Sequence, residues 1–136
     1  MADEEFGQAL DAVLHDLRAQ CAVRPRLDED AELGLMIYAP DGSGQGLVPP
    51  LGGTPAERLA HLADQVQEWA VEALWSEGEP AVWPHCPEHP DTHPLAAAVV
   101  DGTAVWVCPR GGAGRPSRAA FARIGELEEG VGSRRR

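Results

Sequence analysis

The sequence contains no lysine. All of its 11 basic residues are arginine, set against 22 aspartates and glutamates for a net charge of -11. Proteins that grip phosphate backbones need a basic surface, so nucleic-acid binding is disfavoured. Long apolar runs are missing too: none approaches the roughly 18 residues that make a spanning helix, which argues against membrane insertion. The first residues, MADEEFGQAL, are acidic where a secretory leader would be basic, so a cytoplasmic location is expected. Cysteine is scarce at 3 residues, which in that compartment points to thiols or metal ligands rather than to a disulfide framework. The glycine-rich LGGTPAE, 51–57, has neither the lysine of a phosphate-binding loop nor a GxGxxG pattern, and reads as a helix cap.

What remains is a chain of 136 residues with 43% apolar content, enough for one domain with a real core. Phe6, Leu10, Val13, Leu14, Leu17 and Cys21 recur at spacings of three and four, which predicts an amphipathic helix over 3–22. Cys21 extends its apolar stripe, and His15 at the edge of the stripe is expected in solvent. RPRLDEDAE, 24–32, reads as a charged connector. LGLMIYA and QGLVPP flank the turn-forming PDGSG and suggest a first hairpin over 33–50. Thr54-Pro55-Ala56-Glu57 is a capping box with proline at the first helical position. The helix it opens should run from 55 to 76, with Leu59, Leu62, Val66, Trp69 and Ala73 inward and both Trp69 and Trp75 supplying buried area. His61 is expected at the surface. LAAAVV and TAVWVC flank Asp101-Gly102, a strong hairpin signal. A helix or strand over 119–129 could place Phe121, Ile124 and Leu127 on the core. RGGAGRPSR reads as a loop and 130–136 as a disordered tail, leaving one domain over 1–129.

The chemistry concentrates in WPHCPEHPDTHPL, 83–95, which holds three of the 5 histidines and one cysteine. A two-residue Asp101-Gly102 loop pairs Val100 with Thr103, and the same register sets Cys108 opposite Leu95. Side chains two apart on a strand share a face, so His93 becomes a diagonal neighbour of Cys108. Cys86 and His89 have the two-residue gap of a zinc knuckle. Cys86, His89, His93 and Cys108 can then form a two-sulfur, two-nitrogen set, and thiolates with imidazoles select zinc. Four protein ligands leave no open position, which makes the ion structural. His85 is an alternative to His93 as ligand; His85, Glu88 and Asp91 are also candidates for outer-shell partners.

CPEH followed by a hairpin and CP resembles a zinc ribbon or zinc-knuckle module over residues 84 to 109. The resemblance implies that Cys86 and His89 are the first knuckle and Cys108 the first ligand of the second. The second knuckle departs from the pattern, because Gly111 stands where its other ligand belongs and His93 must serve instead. The whole chain also resembles short actinobacterial proteins, a resemblance that brings no function with it. The expected architecture is α+β: two amphipathic helices with one β-hairpin, and a second, zinc-ribbon-like hairpin over 83–110 as an appendage that can share their core.

Three functions compete. A non-enzymatic binding or adaptor protein with a structural zinc leads, since no oxyanion hole or substrate pocket can be read beside the Cys/His pairs. An immunity- or antitoxin-like protein would use the negative charge to capture a basic protein partner. A thiol- or metal-dependent enzyme would need an activated cysteine or an open metal position. A plain proline-rich turn with solvated histidines is the alternative to any site at all.

Overall fold

A computed structural model describes residues 2–49, 52–87, 93–109 and 120–128; the side chains of residues 2, 3, 120 and 121 are not described. The fold is α+β. Helix α1 (Ala2–Gln20) leads into a sheet of β1 (Arg26–Asp30), β2 (Gly34–Tyr38) and β3 (Gly44–Gly46). Helix α2 (Pro55–Ser76) follows, then a second sheet of β4 (Ala96–Val100), β5 (Thr103–Val107) and β6 (Ala120–Arg123). Both sheets are antiparallel with their strands in chain order. Among the described residues no helix is long and apolar enough to cross a membrane.

The strongest local signal is realised in full. The Glu57 backbone N–H donates to Thr54 Oγ1 at 3.1 Å, and the Thr54 N–H donates to Glu57 Oε1 at 2.9 Å. The two bonds satisfy donors that a bare helix start would leave exposed. At the other end Gly78 takes the positive φ of 76° that stops the helix. α2 turns Leu62, Val66, Trp69, Ala70, Ala73 and Leu74 inward. Trp75 is the correction: it is 77% exposed. Six residues at 3.6 per turn carry it about 240° round from Trp69, onto the far side of the helix. α1 contributes Val13, Leu14 and Leu17 to the same core and packs on α2. Arg58 bridges the helices, Nη2 to Glu5 Oε1 at 3.0 Å, and holds the Glu5 carboxyl below its usual range.

The charged stretch read as a connector is instead β1. It pairs with β2 from Arg26↔Tyr38 to Asp30↔Gly34. An edge strand keeps much of its surface in water and tolerates charge, so the absence of alternating apolar residues did not preclude pairing. Leu27 is half-buried, and the Arg26 guanidinium lies 4.3 Å from the Tyr38 ring centre. β3 is shorter than the 45–50 segment expected, although Leu47 N still donates to Leu35 O at 2.9 Å. Gln65 on α2 fastens this edge: its Nε2 donates to Val48 O and its Oε1 accepts from Val48 N.

In the second sheet the pairing runs from Ala96↔Val107 to Val100↔Thr103, the register that the Asp101-Gly102 turn dictates. Both turn residues have positive φ, 51° and 76°, as a type I′ hairpin requires. β6 resolves the helix-or-strand ambiguity of 119–129 as a strand, with Ile124 and Leu127 buried just beyond it. This sheet is no appendage. Trp83, Leu95, Trp106 and Cys108 belong to one buried cluster with Leu17, Leu62 and Val66, because α2 lies across β4 and β5. The 110–118 loop and the 130–136 tail lie outside the described residues.

Candidate metal centre

Two pieces of backbone converge at the open end of the β4–β5 hairpin. Pro94 forms an isolated antiparallel bridge with His85, and Leu95 N donates to Pro84 O at 2.9 Å. The segment carrying Cys86 is thereby laid beside the start of β4. Gln67 on α2 ties both pieces to the helix, donating from Nε2 to Trp83 O at 3.0 Å and to Leu95 O at 2.6 Å. The His85 N–H donates to Gln20 Oε1 at the end of α1. Each of these bonds takes hold of the loop or the start of β4 by its backbone, so the path of the loop is set before its own side chains are considered.

The side chains then meet. One ligand atom each from Cys86, His93 and Cys108 lie within 4.8 Å of one another. Cys108 Sγ is 3.8 Å from His93 Nε2, the diagonal contact that the hairpin register predicts. Both cysteines are buried and His93 is half-buried. His93 Nδ1 is 3.0 Å from the Pro94 carbonyl, which can only accept, so Nδ1 carries the proton in the neutral ring. Nε2 then offers its lone pair toward the two sulfurs. A carbonyl behind the imidazole is the usual support for a metal-ligating histidine. Zinc bonds of about 2.3 Å to sulfur and 2.0–2.1 Å to nitrogen put tetrahedral ligands about 3.5 Å apart, close to the observed separation. The three side chains are placed so that together they could hold a metal ion.

His89, Glu88 and Asp91 lie outside the described residues, so the Cys86-His89 knuckle is not part of this geometry. His85 is described but is not a member of the three-residue group. Cys21, read as a packing residue, is 5% exposed, and burial pushes its thiol up. His61 is exposed as expected. His15 is exposed but not merely solvated, since its Nε2 lies 3.2 Å from the Leu127 carbonyl.

The residue that sequence reasoning missed is Asp16. It is fully buried. Its Oδ2 accepts from Trp106 Nε1 at 2.7 Å and from Gly125 N at 2.7 Å, and its Oδ1 from Leu127 N at 3.0 Å. Its backbone carbonyl accepts from Trp83 Nε1 at 3.1 Å. The two indoles meet edge to face with centroids 5.3 Å apart. Trp83 is three residues before Cys86 and Trp106 two before Cys108, so one helix residue is hydrogen-bonded to both segments that lead to the thiols. Burial pushes the Asp16 carboxyl up, opposed by the N–H groups of Trp106, Gly125 and Leu127. The available signal was the pair of tryptophans itself: buried indole N–H groups need acceptors, and an aspartate beside Leu17 is the nearest on α1 to supply one.

Set against known protein families, curated proteins and solved structures, the chain matches none of them. The functional reading therefore stands on the residues and their geometry.

Proposed function

We propose that this is a non-enzymatic binding protein whose second sheet is stapled by one structural zinc ion. Cys86, His93 and Cys108 would hold the metal, with His89 as the fourth ligand expected from sequence. The observation that carries the reading is the convergence of two thiols and a correctly polarised imidazole within 4.8 Å. The ion would lock the loop before β4 to the end of β5. Buried sulfurs support a structural role, since neither thiol lies open to solvent. The net charge of -11 supports a basic protein as partner.

Metal analysis of protein purified without added zinc tests the staple. About one zinc per chain is expected, falling to background in Cys86→Ser with Cys108→Ser, and His89→Ala should weaken retention against a chelator. Metal-free protein that melts at the same temperature with and without zinc would sink the proposal.

A further inference from the structure

A cavity of about 600 Å³ opens between α2 and the β2–β3 turn, and none of the three proposed metal ligands lines it. Ser43 and Gly44 form one wall, Glu68 and Glu72 another, and Pro94 closes one end. None of its lining residues is basic. Glu68 and Glu72 are exposed and one helical turn apart, and among the described residues neither forms an ion pair. Like charges at that spacing destabilise a helix unless a cation joins them. Asp41, two residues before the lining Ser43, accepts from the Ser43 hydroxyl at 2.7 Å, which helps hold its carboxyl ionised.

Two indoles on the same helix lie near these carboxylates. Trp69 lines it and is 3% exposed. Its indole Nε1 is the one buried side-chain donor among the described residues that has no hydrogen-bond partner. A donor buried in this way stays unsatisfied until an acceptor reaches it. Trp75, 77% exposed, continues the same helix stripe, because Glu68, Val71, Glu72 and Trp75 fall at i, i+3, i+4 and i+7. An exposed indole beside carboxylates is a platform for a guanidinium, which stacks on the ring while it pairs with the acids.

We infer that this cavity and the Glu68–Trp75 stripe bind an arginine-bearing peptide segment of a partner protein. The guanidinium lies between Glu68 and Glu72 against Trp75, and the peptide backbone enters the cavity beside Trp69. The stripe is about 10 Å long, more than a single guanidinium covers, which calls for a segment of several residues. The inference rests on the binding-protein part of the proposed function and not on the metal.

The probe is the peptide amide Gly-Arg-Gly-Arg-Gly-Arg, titrated into the full chain and followed by the four indole N–H signals in nitrogen–proton NMR spectra. The Trp69 and Trp75 signals should move while those of Trp83 and Trp106 stay. Glu68→Gln with Glu72→Gln should weaken binding about tenfold. Asp28→Asn with Glu29→Gln removes the same charge from β1 and should leave affinity within about twofold. Equal weakening by the two pairs, an unmoved Trp69 signal, or equal affinity for agmatine would each overturn the inference. Zinc content measured on the same samples separates the readings. Peptide binding without metal removes the staple alone, and a zinc-loaded protein that ignores the peptide removes this inference alone.

Discussion

The two sheets have the same plan, three antiparallel strands in chain order, and differ in what covers them. In the first, Ile37 is the only strand side chain fully withdrawn from water. In the second, β5 is buried from Ala104 through Val107, on both of its faces. The first sheet is held to α2 by edge contacts such as Gln65 with Val48. The second is overlaid by α2 and reached from α1 by Asp16. Strand composition follows from this: a water-facing edge accepts RLDED, whereas a doubly covered strand needs AVWV. Topology therefore does not set how much each sheet contributes to stability; coverage does.

If coverage governs, substitutions should grade from the second sheet to the first. The largest loss is expected for Asp16→Ala, which leaves the Trp106, Gly125 and Leu127 donors buried without an acceptor. Urea unfolding should register about 3–5 kcal/mol. A loss under about 1 kcal/mol would mean that water replaces the carboxylate and that the hub is not what joins α1 to the second sheet.

The same residue makes the contrast pH-dependent. Burial raises the Asp16 pKa above its ordinary 3.8, so the folded protein holds that proton more tightly than the unfolded chain. Its contribution is fully present below pH 3.8 and is lost as pH rises through the folded-state pKa. Asp16→Asn has no such titration and only one acceptor oxygen. The gap in melting temperature between the native protein and Asp16→Asn should narrow as pH is raised above 3.8. A gap that widens would reverse the sign assigned to the burial effect.

Smaller effects belong to the first sheet. Ile37→Val removes one methylene from its sole fully buried strand position and should cost about 1 kcal/mol in the same assay. Arg26→Ala removes the exposed guanidinium from the Tyr38 ring and should cost about 0.5 kcal/mol. If Arg26→Ala matched Ile37→Val, the first sheet would be held by surface pairs instead of by its thin core.

Legibility followed the range of the interaction. The Thr54 capping box lies within four residues, and the Asp101-Gly102 turn sets a register that carries outward pair by pair. That register reached His93 and Cys108 without any knowledge of the fold, because a two-residue loop leaves the count no freedom. β1 was misread because its side chains face water and leave no apolar alternation to detect. Trp75 was assigned inward on its residue type although its angular position on α2 faces away from the core. Asp16 sits about 100° from the centre of the α1 stripe, where exposure is the ordinary expectation. It is buried because Gly125 and Leu127 arrive from more than one hundred residues away along the chain.

Local chemistry was enough to decide the helix starts, the type I′ turn and the diagonal His93–Cys108 contact, since each depends on backbone preferences over a few neighbouring residues. Which sheet would be enclosed, where Asp16 would find its donors and how Cys86 would come beside Cys108 were settled by long-range packing. Those outcomes depend on which apolar surfaces meet, and the burial of a side chain is a property of its neighbours in space.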